Sequence, residues 1–212
     1  MDARAQQVLD FWFGGDSNDV DALQGRVRVW FGNDAAQVEA FDEEIRHGFG
    51  ADVEAALRGE LESWKQPAQA RLALVILLDQ FPRNMYRGSA RAFAGDARAL
   101  ALVQEGLKSG ADRMLTGVQR MFFYMPLQHA EDAAAQTRGV EEFRRLAADA
   151  PPELRAVFES SVNYARQHHD IIVRFGRFPH RNAALGRDST VAEREFLASG
   201  ATDFGQSRPK AR

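Results

Sequence analysis

Residues Ser161–Asp188 read SVNYARQHHDIIVRFGRFPHRNAALGRD. From just upstream, Leu154, Phe158, Ser161, Ala165, His168, Ile172 and Gly176 recur at steps of three and four, the spacing of one stripe along an α-helix. His169 sits at the edge of that stripe. Arg166, Asp170 and Arg174 form a ladder on the neighbouring face, at a spacing that lets charges pair. Gly176 suits a left-handed helix end, and Pro179 blocks resumption of the helix. The corner FPHRN then presents His180, Arg181 and Asn182. The stretch holds three of the five histidines and five arginines. Interior ionisable groups are costly unless paired, so a cluster of them on an apolar stripe points to a pocket.

The same periodicity continues outward. ARAQQVLDFWFGG predicts a short helix stopped by Gly14 and Gly15, and VWFGND closes a second piece at Gly32. Val38, Phe41, Ile45 and Phe49 mark a third helix, capped by Asn33 or Asp34, and a further one is expected from Asp52 to Trp64. After Pro67, ARLALVILLDQ is apolar on every side and should be the most buried helix. Asp79 faces the negative end of that helix's dipole, unfavourable without compensation. Pro82 is expected to break the helix and leave Arg83, Asn84 and Arg87 in the loop FPRNMYRG. Asp79 either staples this corner to Arg83 or lines a polar cavity.

Asp96 is expected to cap the helix carrying Leu100, Val103 and Leu107. Pro126 should separate two helical segments, with His129, Asp132 and Gln136 sharing a face near the N-terminus of the second, where a histidine is held neutral. Pro151 and Pro152 start the long helix of the opening stretch, and Thr190-x-x-Glu193 reads as a capping box before a last short helix. No alternating strand pattern occurs. The reading is all-α, about nine antiparallel helices in one domain over 1–204, followed by a polar tail over 205–212.

Composition bounds the function. The chain of 212 residues has a net charge of −3, which gives nucleic-acid binding no electrostatic support. It has no cysteine, which excludes thiolate metal sites and suits a reducing cytoplasm. No apolar run is long enough to span a membrane. Arginine outnumbers lysine 24 to 3, so only arginine placement, not abundance, can argue for anion binding.

Two corners echo each other: LLDQFPRNMYRG over Leu77–Gly88 and RFGRFPHRNAALGR over Arg174–Arg187. Each has Phe-Pro, then Arg-Asn, then a later arginine beside glycine. If the corners meet, Arg83 and Arg181 would clamp a carboxylate or phosphate, with His129 and His168 or His169 nearby.

LDQFPRNMYRG, FAGDARAL, FFYMPLQHAED and RFGRFPHRNAALGRDST, with DFWFG near the start and a later WFG, resemble the bacterial family DUF924, a domain of unknown function. The resemblance covers nearly the whole chain. It implies an all-helical, tetratricopeptide-like stack with a concave surface, and it carries no activity. The family pattern has Glu-His-Ser-Glu-Asp where this chain has Gln128-His129-Ala130-Glu131-Asp132, so position 128 is no essential carboxylate.

Two functions stay open. One is a pocket that binds an anionic small molecule or a peptide's terminal carboxylate through Asp79, Arg83, Asn84, His169, His180, Arg181 and Asn182. The other is a small-molecule hydrolase or lyase, with His129 or His168 as base and Asp132 or Asp170 orienting it. A metal held by these histidines is a lesser reading: no HExxH occurs, and the His-x-Glu at His129 lacks the PCxxC partner of zinc deaminases. No cofactor can be named. Phosphate-binding glycine loops, nucleophile elbows and dinucleotide fingerprints are missing too.

Overall fold

The computed structural model describes residues 1–14, 20–32, 34–200 and 204, and within them every regular element is helical. Nine helices pack together: α1 Ala3–Phe13, α2 Val20–Phe31, α3 Ala35–Arg58, α4 over 68–85, α5 Asp96–Ser109, α6 Gly117–His129, α7 Ala133–Ala148, α8 Pro152–Phe175 and α9 Val191–Ala198. Asn33 and the tail 205–212 lie outside the described residues. At four ends decided by local chemistry the expectation and the structure agree. Asp34 caps α3 by accepting from Gln37 N–H, Thr190 and Glu193 form the capping box of α9, and Gly14 and Gly176 take left-handed φ of 73° and 71°.

The main hydrophobic core has α4 as its axis, and a small second cluster of Ile171, Ile172 and Phe178 lies at the end of α8. Every residue from Ala70 to Asp79 is buried. Trp12, Phe81 and Phe122 lock α1, α4 and α6 together, with ring centroids 5.3 to 5.6 Å apart from Trp12. Consecutive helices α6, α7 and α8 pack side by side through short connections. No helix among the described residues is long and apolar enough to cross a membrane.

Three expectations are corrected. The third and fourth expected helices are one continuous α3, because Val53 and Ala56 prolong the buried stripe of Phe41 and Ile45. It ends only at Gly59, with φ of 85°. Pro126 lies inside α6 rather than between two helices: Val118 and all eight residues Met121–Gln128 are buried, and that burial holds the helix through the proline. The chain breaks after His129 instead. His129 therefore stands at a helix C-terminus, not an N-terminus. Pro82 does not end α4 either. Ile76–Gln80 forms a π-turn in which Phe81 N–H donates to the Ile76 carbonyl, and Phe81–Met85 resumes as α-helix. The wider turn absorbs the missing proline donor.

Candidate functional site

The π-turn sets Asp79 in the interior with no exposure at all. His129, at the end of α6, has Nδ1 2.8 and 3.0 Å from the two Asp79 carboxylate oxygens. Gln80 also donates to Asp79, and Arg83 lies 3.3 Å from it. Burial alone would raise the Asp79 carboxyl, but Arg83 and His129 hold it well below the ordinary carboxylate range. Burial likewise favours neutral His129, and Asp79 offsets this only in part, so its pKa lies below the usual value. Desolvation thus favours the neutral form of His129, in spite of the helix end it occupies.

Arg83 donates through NH1 and NH2 to both oxygens of Asp96, at 2.8 and 2.9 Å, and to the Asp79 carbonyl. Burial would lower its pKa, yet Asp79 and Asp96 together raise it. Asp96 is not the cap of α5, whose N-cap is Gly95. Its carboxylate instead joins the two corners, because Arg181 NH1 donates to it at 3.1 Å. A Cβ on Gly95 would lie 2.2 Å from the Leu78 carbonyl, so only glycine lets α5 start against α4 there.

Arg181 is sandwiched between Phe93 and Phe178, its guanidinium carbon 4.6 and 4.4 Å from their ring centres. Burial pushes its pKa down to about 10 despite Asp96. The second corner is tied down separately. Phe178 N–H donates to Glu131 at 2.8 Å, Arg187 grips the same carboxylate at 2.6 and 2.9 Å, and Asn182 faces Ser189 and Glu193.

These elements line a half-open cavity of about 750 Å³ between the corners. Its apolar wall includes Trp12, Trp30, Phe41 and Phe143, and its polar end holds Arg83, His129, His168, His180 and Arg181. His168 is buried, with Nδ1 2.8 Å from the Tyr164 carbonyl and its ring centre 5.8 Å from that of His129. Burial and the neighbouring His129 hold its pKa well below the usual histidine value. Phe204 stacks on the His168 ring, centroids 3.6 Å apart. On the rim, Asn84 and Arg87 both donate to Asp42.

The corners thus meet, though around Asp96 rather than around an open clamp. Four of the expected residues lie elsewhere. Asp132 caps α7, accepting from Ala135 N–H at 2.7 Å, because the chain break at residues 130–132 removes the shared face with His129. His169 points away and pairs with exposed Asp170 at 3.2 Å, so Asp170 orients neither His129 nor His168. Asn182 sits behind the corner and does not line the cavity. The reading of residues missed Asp96, Glu131 and the aromatic wall. Asp96 stands in FAGDARAL, but an acid in a first helical turn is locally favoured anyway and so conceals its second task. Among the described residues, no group of three or more His, Asp or Glu is arranged to hold a metal ion.

An all-helical single domain with a bipartite cavity is the class that these features define. The family model described as bacterial protein of unknown function, DUF924, matches residues 8–201, and the chain belongs to that family. It is also similar to a solved structure, a protein of unknown function, ATU0120, from Agrobacterium tumefaciens. The identity is 38%, with a TM-score of 0.75, covering 93% of this chain and 98% of that one. No curated protein matches the chain.

Proposed function

We propose that the protein binds a small organic anion with an apolar body in the cavity between the two corners. Arg181 carries this reading. It is a buried guanidinium on the cavity wall that spends a single donor on Asp96, and its other terminal N–H groups suit a ligand carboxylate. The aromatic and aliphatic wall opposite suits the hydrocarbon part of the ligand. A peptide's terminal carboxylate offers the same head group. Arg83 serves as a holder of Asp96 rather than as an anchor, since NH1 and NH2 both engage that carboxylate. The consecutive side-by-side packing of α6, α7 and α8 supports the tetratricopeptide-like reading of the fold.

Quenching of Trp12 and Trp30 fluorescence by 4-phenylbutyrate tests the proposal, because both indoles line the cavity. Saturable binding by the wild type, weakened at least about tenfold in Arg181→Lys, is the expected result; the planar fork is lost while the charge stays. Equal affinity in the two proteins, or no saturation with 4-phenylbutyrate, benzoate or octanoate, would overturn it.

A further inference from the structure

We propose that the cavity is an active site in which His129, oriented by Asp79, takes a proton from a hydroxyl or a water molecule held beside the ligand's acid group. This rests on the binding reading above and adds chemistry to it.

The argument starts from hydrogen positions. Asp79 is fully buried and ionised beside Arg83, so it can only accept, and His129 Nδ1 must carry the hydrogen between them. Nε2 then bears a lone pair. The Nδ1 edge of the ring is turned into the wall, so the opposite edge faces the cavity that His129 lines. Among the described residues no group hydrogen-bonds to Nε2. His168 repeats the arrangement. Its Nδ1–H donates to the Tyr164 carbonyl, which leaves its Nε2 as a second acceptor at the same end. Two imidazole lone pairs beside a guanidinium with donors to spare match a group that gives up a proton and gains negative charge.

In the step itself, the O–H bond breaks, its electron pair stays on oxygen and the proton passes to His129 Nε2. The imidazolium so formed lies against Asp79, and the oxygen's new charge faces Arg181. Asp79 acts through His129 and is a positioning residue. The charged and titratable groups around His129 are Asp79 and Arg83 from α4, Asp96 from α5, His168 from α8, and His180 and Arg181 from the second corner. Neutral imidazole is the active form, so activity should rise with pH and reach half its maximum below 6.5.

Mono-p-nitrophenyl glutarate, an ester that carries a free carboxylate, provides a probe. Water loses a proton to His129, its oxygen bonds to the carbonyl carbon, p-nitrophenolate leaves with the bonding pair, and His129 passes the proton to solvent. Turnover would be followed from about pH 5 to about pH 8 in the wild type, His129→Gln and Asp79→Asn, with 4-phenylbutyrate binding measured in parallel. The expected outcome is at least about a tenfold loss in His129→Gln, and in Asp79→Asn a lower rate with a displaced pH profile. Should Asp79→Asn fail to fold, nitrogen NMR of wild-type His129 gives the second reading: a proton on Nδ1 and none on Nε2 supports the assignment, and the reverse overturns it. Equal turnover in wild type and His129→Gln, with 4-phenylbutyrate still bound, removes the base and leaves the binding reading standing. Turnover lost in His129→Gln without carboxylate binding keeps the base and removes the anionic head group.

Discussion

The two Phe-Pro corners carry nearly the same letters and take different shapes. Phe81-Pro82-Arg83-Asn84 follows a π-turn and continues as helix, whereas Phe178-Pro179-His180-Arg181-Asn182 follows a glycine-ended helix and folds as a short 3-10 turn. Both arginines reach Asp96, yet on unequal terms. Arg83 holds both oxygens of Asp96 and borders Asp79, and its pKa is raised. Arg181 has one hydrogen bond and two aromatic faces, and its pKa is lowered. On the proposed reading, the first corner is the support and the second is the working face. A guanidinium supplied with two carboxylates has little left to offer a ligand; one supplied with half of a carboxylate has more.

Removing what the corners share should have the largest effect. Asp96→Ala leaves two buried cations short of a partner and is expected to cost about 3–5 kcal/mol, read by urea unfolding. The comparison is sharpened next by matched substitutions. Arg83→Gln should cost nearly as much, because Asp79 loses its main counter-charge, whereas Arg181→Gln should cost about 1–3 kcal/mol. Equal losses would break the distinction between support and working face.

A smaller effect should come from His168. Its folded pKa lies below the usual 6.5, so between those values the unfolded chain binds more protons than the folded one. Its stabilising contribution is complete above about pH 6.5 and falls as the pH drops, by up to about 1.4 kcal/mol per pH unit. Unfolding of the wild type and His168→Phe at stepped pH checks the sign: the variant should show the shallower decline.

How much of this was legible follows the range of the interactions. Helix ends were readable because they are decided within four residues, as at Asp34, Thr190 and Gly176. The stripe that buries His168 was readable because helical periodicity alone produces it. The meeting of the two corners was foreseeable from their shared letters. Its centre was not: Asp96 is 13 residues from Arg83 and 85 from Arg181, and nothing local marks it. The partner of His129 was sought at Asp132, three residues away, while the actual one is 50 residues away. Proline misled twice, at Pro82 and Pro126. In both places packing on every side held the helix together, once through a wider turn and once inside a regular helix.

The π-turn at Ile76–Gln80 also makes the protein unusually sensitive to chain length. One surplus residue offsets the angular phase of everything beyond it, so Asp79 and Arg83 face their partners only while that residue is kept. Deleting Ile76, Leu77 or Leu78 would return the segment to an ordinary winding and turn Arg83 away from Asp96, even though every chemical group in the cluster was still encoded.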